Sequence, residues 1–80
     1  MADKVYKFVG YKEMEESKLV VMNHKASELK KFVNDSHTGE WLGFDKKNKA
    51  YLLKYSFAIN GGFQECLVVL DEETDKVLKV

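Results

Sequence analysis

This chain has no arginine, no proline, a single cysteine and no long apolar run. Each absence excludes something. Arginine is the usual donor for bidentate contacts to phosphate, guanine and carboxylate, so its lack argues against a nucleic-acid partner. All 13 cationic side chains are lysine, 13 acids balance them, and the formal net charge is zero. One cysteine, Cys66, cannot form an internal disulfide. The start, "MADKVYKF", carries no apolar signal region, and the runs "LVVM" and "LVVL" are far too short to span a bilayer. These features point to a reducing cytoplasm, or the host cytoplasm for a phage protein, and to no membrane partner. Many lysines and asparagines without arginine or proline also suggest an AT-rich coding genome, such as that of a low-GC bacterium or its phage.

What is present describes one domain over residues 1–80. Hydrophobic residues make up 45% and charged residues 32%, the balance of a globular protein with one modest core. Residues 4 to 11, "KVYKFVGY", read as a strand, with Gly10 at a bulge or bend. "KEMEES" reads as a polar turn or hairpin tip. "KLVVMN", residues 18 to 23, reads as a second strand buried on both faces. In the next stretch Met22, Ala26, Leu29 and Val33 form a helical stripe with Phe32 beside it, capped by Asn23 or Ser27. "WLGF", residues 41 to 44, begins another strand, and "DKKNK" is its hairpin loop. From 50 to 59, Tyr51, Leu53, Tyr55, Phe57 and Ile59 alternate with Leu52, Lys54, Ser56 and Ala58, which is the period of a strand. Asn60-Gly61-Gly62 suits a tight turn, "FQECLVVL" returns, "DEETD" turns again and "KVLKV" closes the chain. The expected fold is α+β: an antiparallel sheet of five to six strands, strongly curled if it closes on itself, with one short helix in the order β-β-α-β-β-β-β.

That inventory poses a covering problem. The strands carry apolar residues on both faces, and a helix of two to three turns covers part of one. The sheet can curl over its own far side, dimerise through a face or an edge strand, or hold a partner protein.

The candidate chemistry is thin. Cys66 with His24 and His37 lacks ligand spacing and sits mid-strand, where a thiol is inert, so neither a metal site nor a nucleophile is expected. Glu13, Glu15 and Glu16, and the second acidic turn at Asp71, Glu72, Glu73 and Asp75, read as solvated tips. Lys46, Lys47 and Lys49 with Tyr51, beside Trp41 and Phe44, form a basic and aromatic cluster that can grip single-stranded nucleic acid or a small ligand. "NGG" is not a phosphate cradle, because no helix with a Lys or Ser pattern follows it.

The last 18 residues, "FQECLVVLDEETDKVLKV", are similar to the closing hairpin of PepSY-type domains, which also place a helix before their strands. The likeness covers one hairpin, and no functional residue carries over from it. In size and style the chain also resembles small phage proteins that block host enzymes. The expected function is a non-enzymatic interaction module, most concretely a phage- or mobile-element-type inhibitor that binds a bacterial host or defence protein stoichiometrically. Its expected partner-binding residues are Trp41, Phe44, Tyr55 and Phe57, with a homodimer through a sheet face or edge as a further expectation. No cofactor or catalytic residue is expected. The alternative is a nucleic-acid- or ligand-binding module built on Lys46, Lys47, Lys49 and Tyr51.

Overall fold

The computed structural model describes residues 4–80, apart from the side chains of residues 57–59. In chain order the elements are β1 (Val5–Lys7), β2 (Glu13–Glu15), a 3-10 turn (Glu16–Lys18), β3 (Val20–Lys25), α1 (Ala26–Ser36), β4 (Gly39–Asp45), β5 (Ala50–Ile59), β6 (Gly62–Asp71) and β7 (Lys76–Lys79). β1 and β2 form a separate hairpin, and the remaining strands form a five-stranded sheet in the order β3-β7-β6-β5-β4. Every pairing is antiparallel. The fold is α+β, as the sequence predicts, although three strands precede the helix rather than two.

Alternation along β5 sorts the core. Leu53 joins Ala26, Val33, Val68, Leu70 and Val77 beneath α1, with Tyr51, Tyr55 and Cys66 packed against them. Leu52 joins Ala50, Val69 and Leu78 on the opposite face, where Tyr6, Phe8, Met14 and Leu19 lie over them. This answers the covering problem in part. The N-terminal hairpin lies as a third layer on the part of the second face around Leu52 and Val69, while Phe63, on the same face toward the other end of β6, stays 85% exposed. Each fully buried Val or Leu of the two clusters contributes about 1.5–3 kcal/mol.

The hairpin was hidden because its second strand is mostly acid. Glu13 and Glu15 face solvent and Met14 is the one buried residue of β2. The turn lies further upstream than "KEMEES": Gly10 has φ 76°, and the Tyr11 N–H donates to the Phe8 carbonyl at 3.0 Å. The expected strand of residues 4 to 11 therefore ends before Gly10. The "LVVM" run is not two-sided core either. Leu19 is buried, but Val20 and Val21 are 67% and 60% exposed, because β3 is an edge strand.

The helix has the expected stripe and a different cap. Its N-cap residue is Lys25, which offers no side-chain bond. Instead Asp75, from the β6–β7 turn, accepts the Ser27 N–H on its carboxylate at 2.9 Å and the Ala26 N–H on its carbonyl at 3.3 Å. These are N–H groups that the first helical turn leaves unpaired. At the other end His37 closes the helix in the left-handed region with φ 55°.

Candidate functional site

β4 is the edge strand at the far side of the sheet from β3, and it carries the clearest surface feature among the described residues. Trp41 and Phe44 stand an odd number of positions apart, so a regular strand would send them to opposite faces. A β-bulge changes that. Trp41 pairs with Leu53, Gly43 with Leu52 and Phe44 with Tyr51, which leaves Leu42 as the extra residue. Leu53 and Tyr51 face the helix, so Trp41 and Phe44 do too. Leu42 packs instead against the hairpin-side core.

The result is an aromatic platform. The Trp41 and Tyr51 rings lie 5.5 Å apart at 63°, and the Phe44 and Tyr51 rings 4.8 Å apart at 41°. Packed together, Trp41 and Phe44 still remain 39% and 38% exposed. The Lys30 ammonium sits 4.4 Å over the Tyr51 ring and donates to its hydroxyl at 3.3 Å. Partial burial works against that charge, but the Tyr51 hydroxyl and Glu72 hold the Lys30 pKa above its ordinary value. Lys30 and Asn34 from α1 and Trp41, Phe44 and Tyr51 from the sheet line a groove of about 460 Å³.

The backbone beside the platform is open. Hydrogen-bonded and non-bonded pairs alternate along an antiparallel ladder. The Ser56 N–H donates to the Thr38 carbonyl at 3.2 Å, which makes that pair a bonded one. Alternation then turns the backbone groups of Gly39 and Trp41 away from β5. No described residue pairs with them there. At the far end of β4 the Phe44 carbonyl accepts the Val9 N–H at 3.3 Å, so the hairpin closes the edge at that point. The open window is short and lies directly beside Trp41. Gly39 is needed in it, since a Cβ there would come within 2.9 Å of Leu53 Cδ1 and 3.1 Å of Val33 Cγ1.

Two aspartates hold the hairpin and the β4–β5 turn in place. Asp45 accepts the Lys7 N–H at 2.8 Å, the Asn48 N–H at 3.1 Å and the Asn48 side-chain amide at 2.7 Å. That amide also donates to the Val5 carbonyl at 2.9 Å. Asp71 accepts from the Lys4 ammonium at 2.7 Å, from the Tyr6 hydroxyl, and from the Glu73 and Thr74 N–H groups. Burial alone would raise both carboxyl pKa values. The donors outweigh it and hold Asp45 and Asp71 below the ordinary carboxylate range.

Of the residues expected at the site, Trp41 and Phe44 meet on the platform, and Tyr51 joins them. Tyr55 does not. It lies on the other flank of α1, edge-on to Phe32 with ring centres 6.4 Å apart. The Phe57 side chain falls outside the described residues. Lys46, Lys47 and Lys49 are exposed in the turn just past Phe44. Sequence reading missed Lys30 and Asn34; their spacing of one helical turn, flanking the Ala26–Leu29–Val33 stripe, is the signal that places them on one side of α1. Cys66 is half-buried beside the helix-side core. Among the described residues no group of three or more His, Cys, Asp or Glu side chains could hold a metal ion, and no helix is long and apolar enough to cross a membrane.

No protein-family model, curated protein or solved structure matches this chain.

Proposed function

We propose that this protein is a non-enzymatic interaction module that docks an extended segment of another protein along β4. The observation that carries this reading is the pairing of an exposed aromatic platform with an open stretch of strand edge. Edge strands present unpaired N–H and C=O groups, and an added peptide strand completes the ladder. Tryptophan and other aromatics in a desolvated pocket are the residues that supply most binding energy at interfaces. A stoichiometric inhibitor of a bacterial host or defence protein is one form such a module takes.

Selection from a displayed library of random peptides tests the reading. Trp41 is the single tryptophan of the chain, so its emission reports on the site directly. Selected peptides should shift that emission and lose binding in a Trp41→Ala/Phe44→Ala double variant. Ligands indifferent to both substitutions, or no ligands at all, would overturn it.

A further inference from the structure

Resting on that docking reading, we infer that the segment bound along β4 is acidic, with carboxylates where it passes the turn between β4 and β5. Within the window the exposed Glu40 stands opposite Lys54, and Glu72 reaches the Lys49 carbonyl with its N–H at 3.1 Å; the charges near the platform left without a carboxylate lie in the turn past it. Lys46 and Lys47 are exposed, and among the described residues they pair with no carboxylate. The acid beside them, Asp45, is buried and occupied by Lys7 and Asn48. Lys30 borders the same end, and its pairing with Glu72 is long, at 3.5 Å. The hairpin closes the strand edge at Phe44, so a segment paired in the window leaves the edge before that point, over the platform, and the residues that flank it on this side face the exposed Lys46 and Lys47.

The alternatives fit less well. A second copy pairing antiparallel through Gly39 and Trp41 would set Glu40 directly opposite the Glu40 of its mate, and like charges directly opposite destabilise a sheet pair. Single-stranded nucleic acid would stack on ring faces. Here the rings cross at 63° and 41° and present no parallel rank. The outward backbone groups of Gly39 and Trp41 suit a peptide ladder, which a phosphodiester chain cannot form.

Two blocked peptides test this. Both carry the same short segment alternating Val and Phe with Thr; one is flanked at both ends by Glu, the other by Lys. Binding is read from Trp41 emission at low and at physiological salt. The Glu-flanked peptide should bind about tenfold more tightly at low salt, the size expected from a few exposed charge pairs, and the gap should narrow as salt is added. In a Lys46→Glu/Lys47→Glu variant the order should reverse. Lys49 is left in place because its left-handed φ of 53° shapes the turn. The inference is overturned if the Lys-flanked peptide binds wild type as well or better, if the variant keeps the wild-type order, or if oligothymidylate binds more tightly than the Glu-flanked peptide. Equal binding of both peptides that vanishes in Trp41→Ala/Phe44→Ala removes the charge inference and leaves docking standing. No emission change with either peptide, together with an empty library selection, removes both.

Discussion

The Tyr6 hydroxyl donates a hydrogen bond to the Asp71 carboxylate, joining the N-terminal hairpin to the end of β6 across most of the chain. Both side chains are almost fully buried, and Lys4 binds the same carboxylate oxygen. Asp71, Ala50 and Asp45 stand in register across β6, β5 and β4. The two acids thus clamp the hairpin layer at one end of the sheet, beside the β4–β5 turn.

Removing one donor from that clamp should cost more than an exposed bond would. Tyr6→Phe keeps the ring in the hairpin-side core and deletes only the hydroxyl. It leaves a buried carboxylate one partner short, which costs about 1–3 kcal/mol. Lys4→Met, which breaks an ion pair whose lysine is partly exposed, should cost no more than that. Urea denaturation of the two variants checks both magnitudes.

Acid should loosen the hairpin. A carboxyl with a lower pKa in the folded than in the unfolded chain binds fewer protons when folded. Its stabilisation is complete above the unfolded value of about 4 and fades as pH falls through the folded value. Asp45 and Asp71 both have that sign. The urea midpoint should therefore be flat from neutrality down to about pH 5 and drop below about pH 4. Asp71→Asn should start from a lower midpoint and lose less of it on acidification. An acid slope as steep as wild type in that variant would show that other groups carry the effect.

The close approach of the hairpin to β4 depends on Gly43. A Cβ at that position would lie 2.9 Å from Phe8 Cβ and 3.2 Å from the Val9 carbonyl oxygen, both in the hairpin layer. Gly43→Ala should destabilise by about 1–3 kcal/mol through overpacking. It should also raise amide exchange at Val9, whose N–H reaches the Phe44 carbonyl. Unchanged exchange at Val9 would mean that the layers separate elsewhere.

The platform should be dispensable for folding. Trp41 and Phe44 keep more than a third of their surface exposed, whereas Leu52 has none. Leu52→Ala should cost about 2–5 kcal/mol, and Trp41→Ala or Phe44→Ala clearly less than a buried aromatic truncation of about 3–5 kcal/mol. Thermal melts of the three variants give the comparison. If Trp41→Ala unfolds the protein as readily as Leu52→Ala, the aromatic cluster is core and not a docking surface.

What the sequence determined by itself were the features that repeat at short range. The alternation from Tyr51 to Tyr55, the glycine-rich turn at 60 to 62 and the Ala26–Leu29–Val33 stripe each follow from a local period, and each is where the chain pattern places it. Met14 and the bonds of Asp45 and Asp71 to Lys4, Tyr6 and Lys7 gave no such signal, because those partners lie far along the chain. Only tertiary structure decided that the acid-rich second strand would fold back as a cover for the sheet, that Asp75 would cap a helix from another turn, and that one inserted residue would bring Trp41 and Phe44 to the same face. The physical reason is that side-chain period is set by the backbone within a few residues. Layer order, bulge position and edge exposure are set by which distant surfaces bury the most apolar area while leaving no buried polar group unpaired.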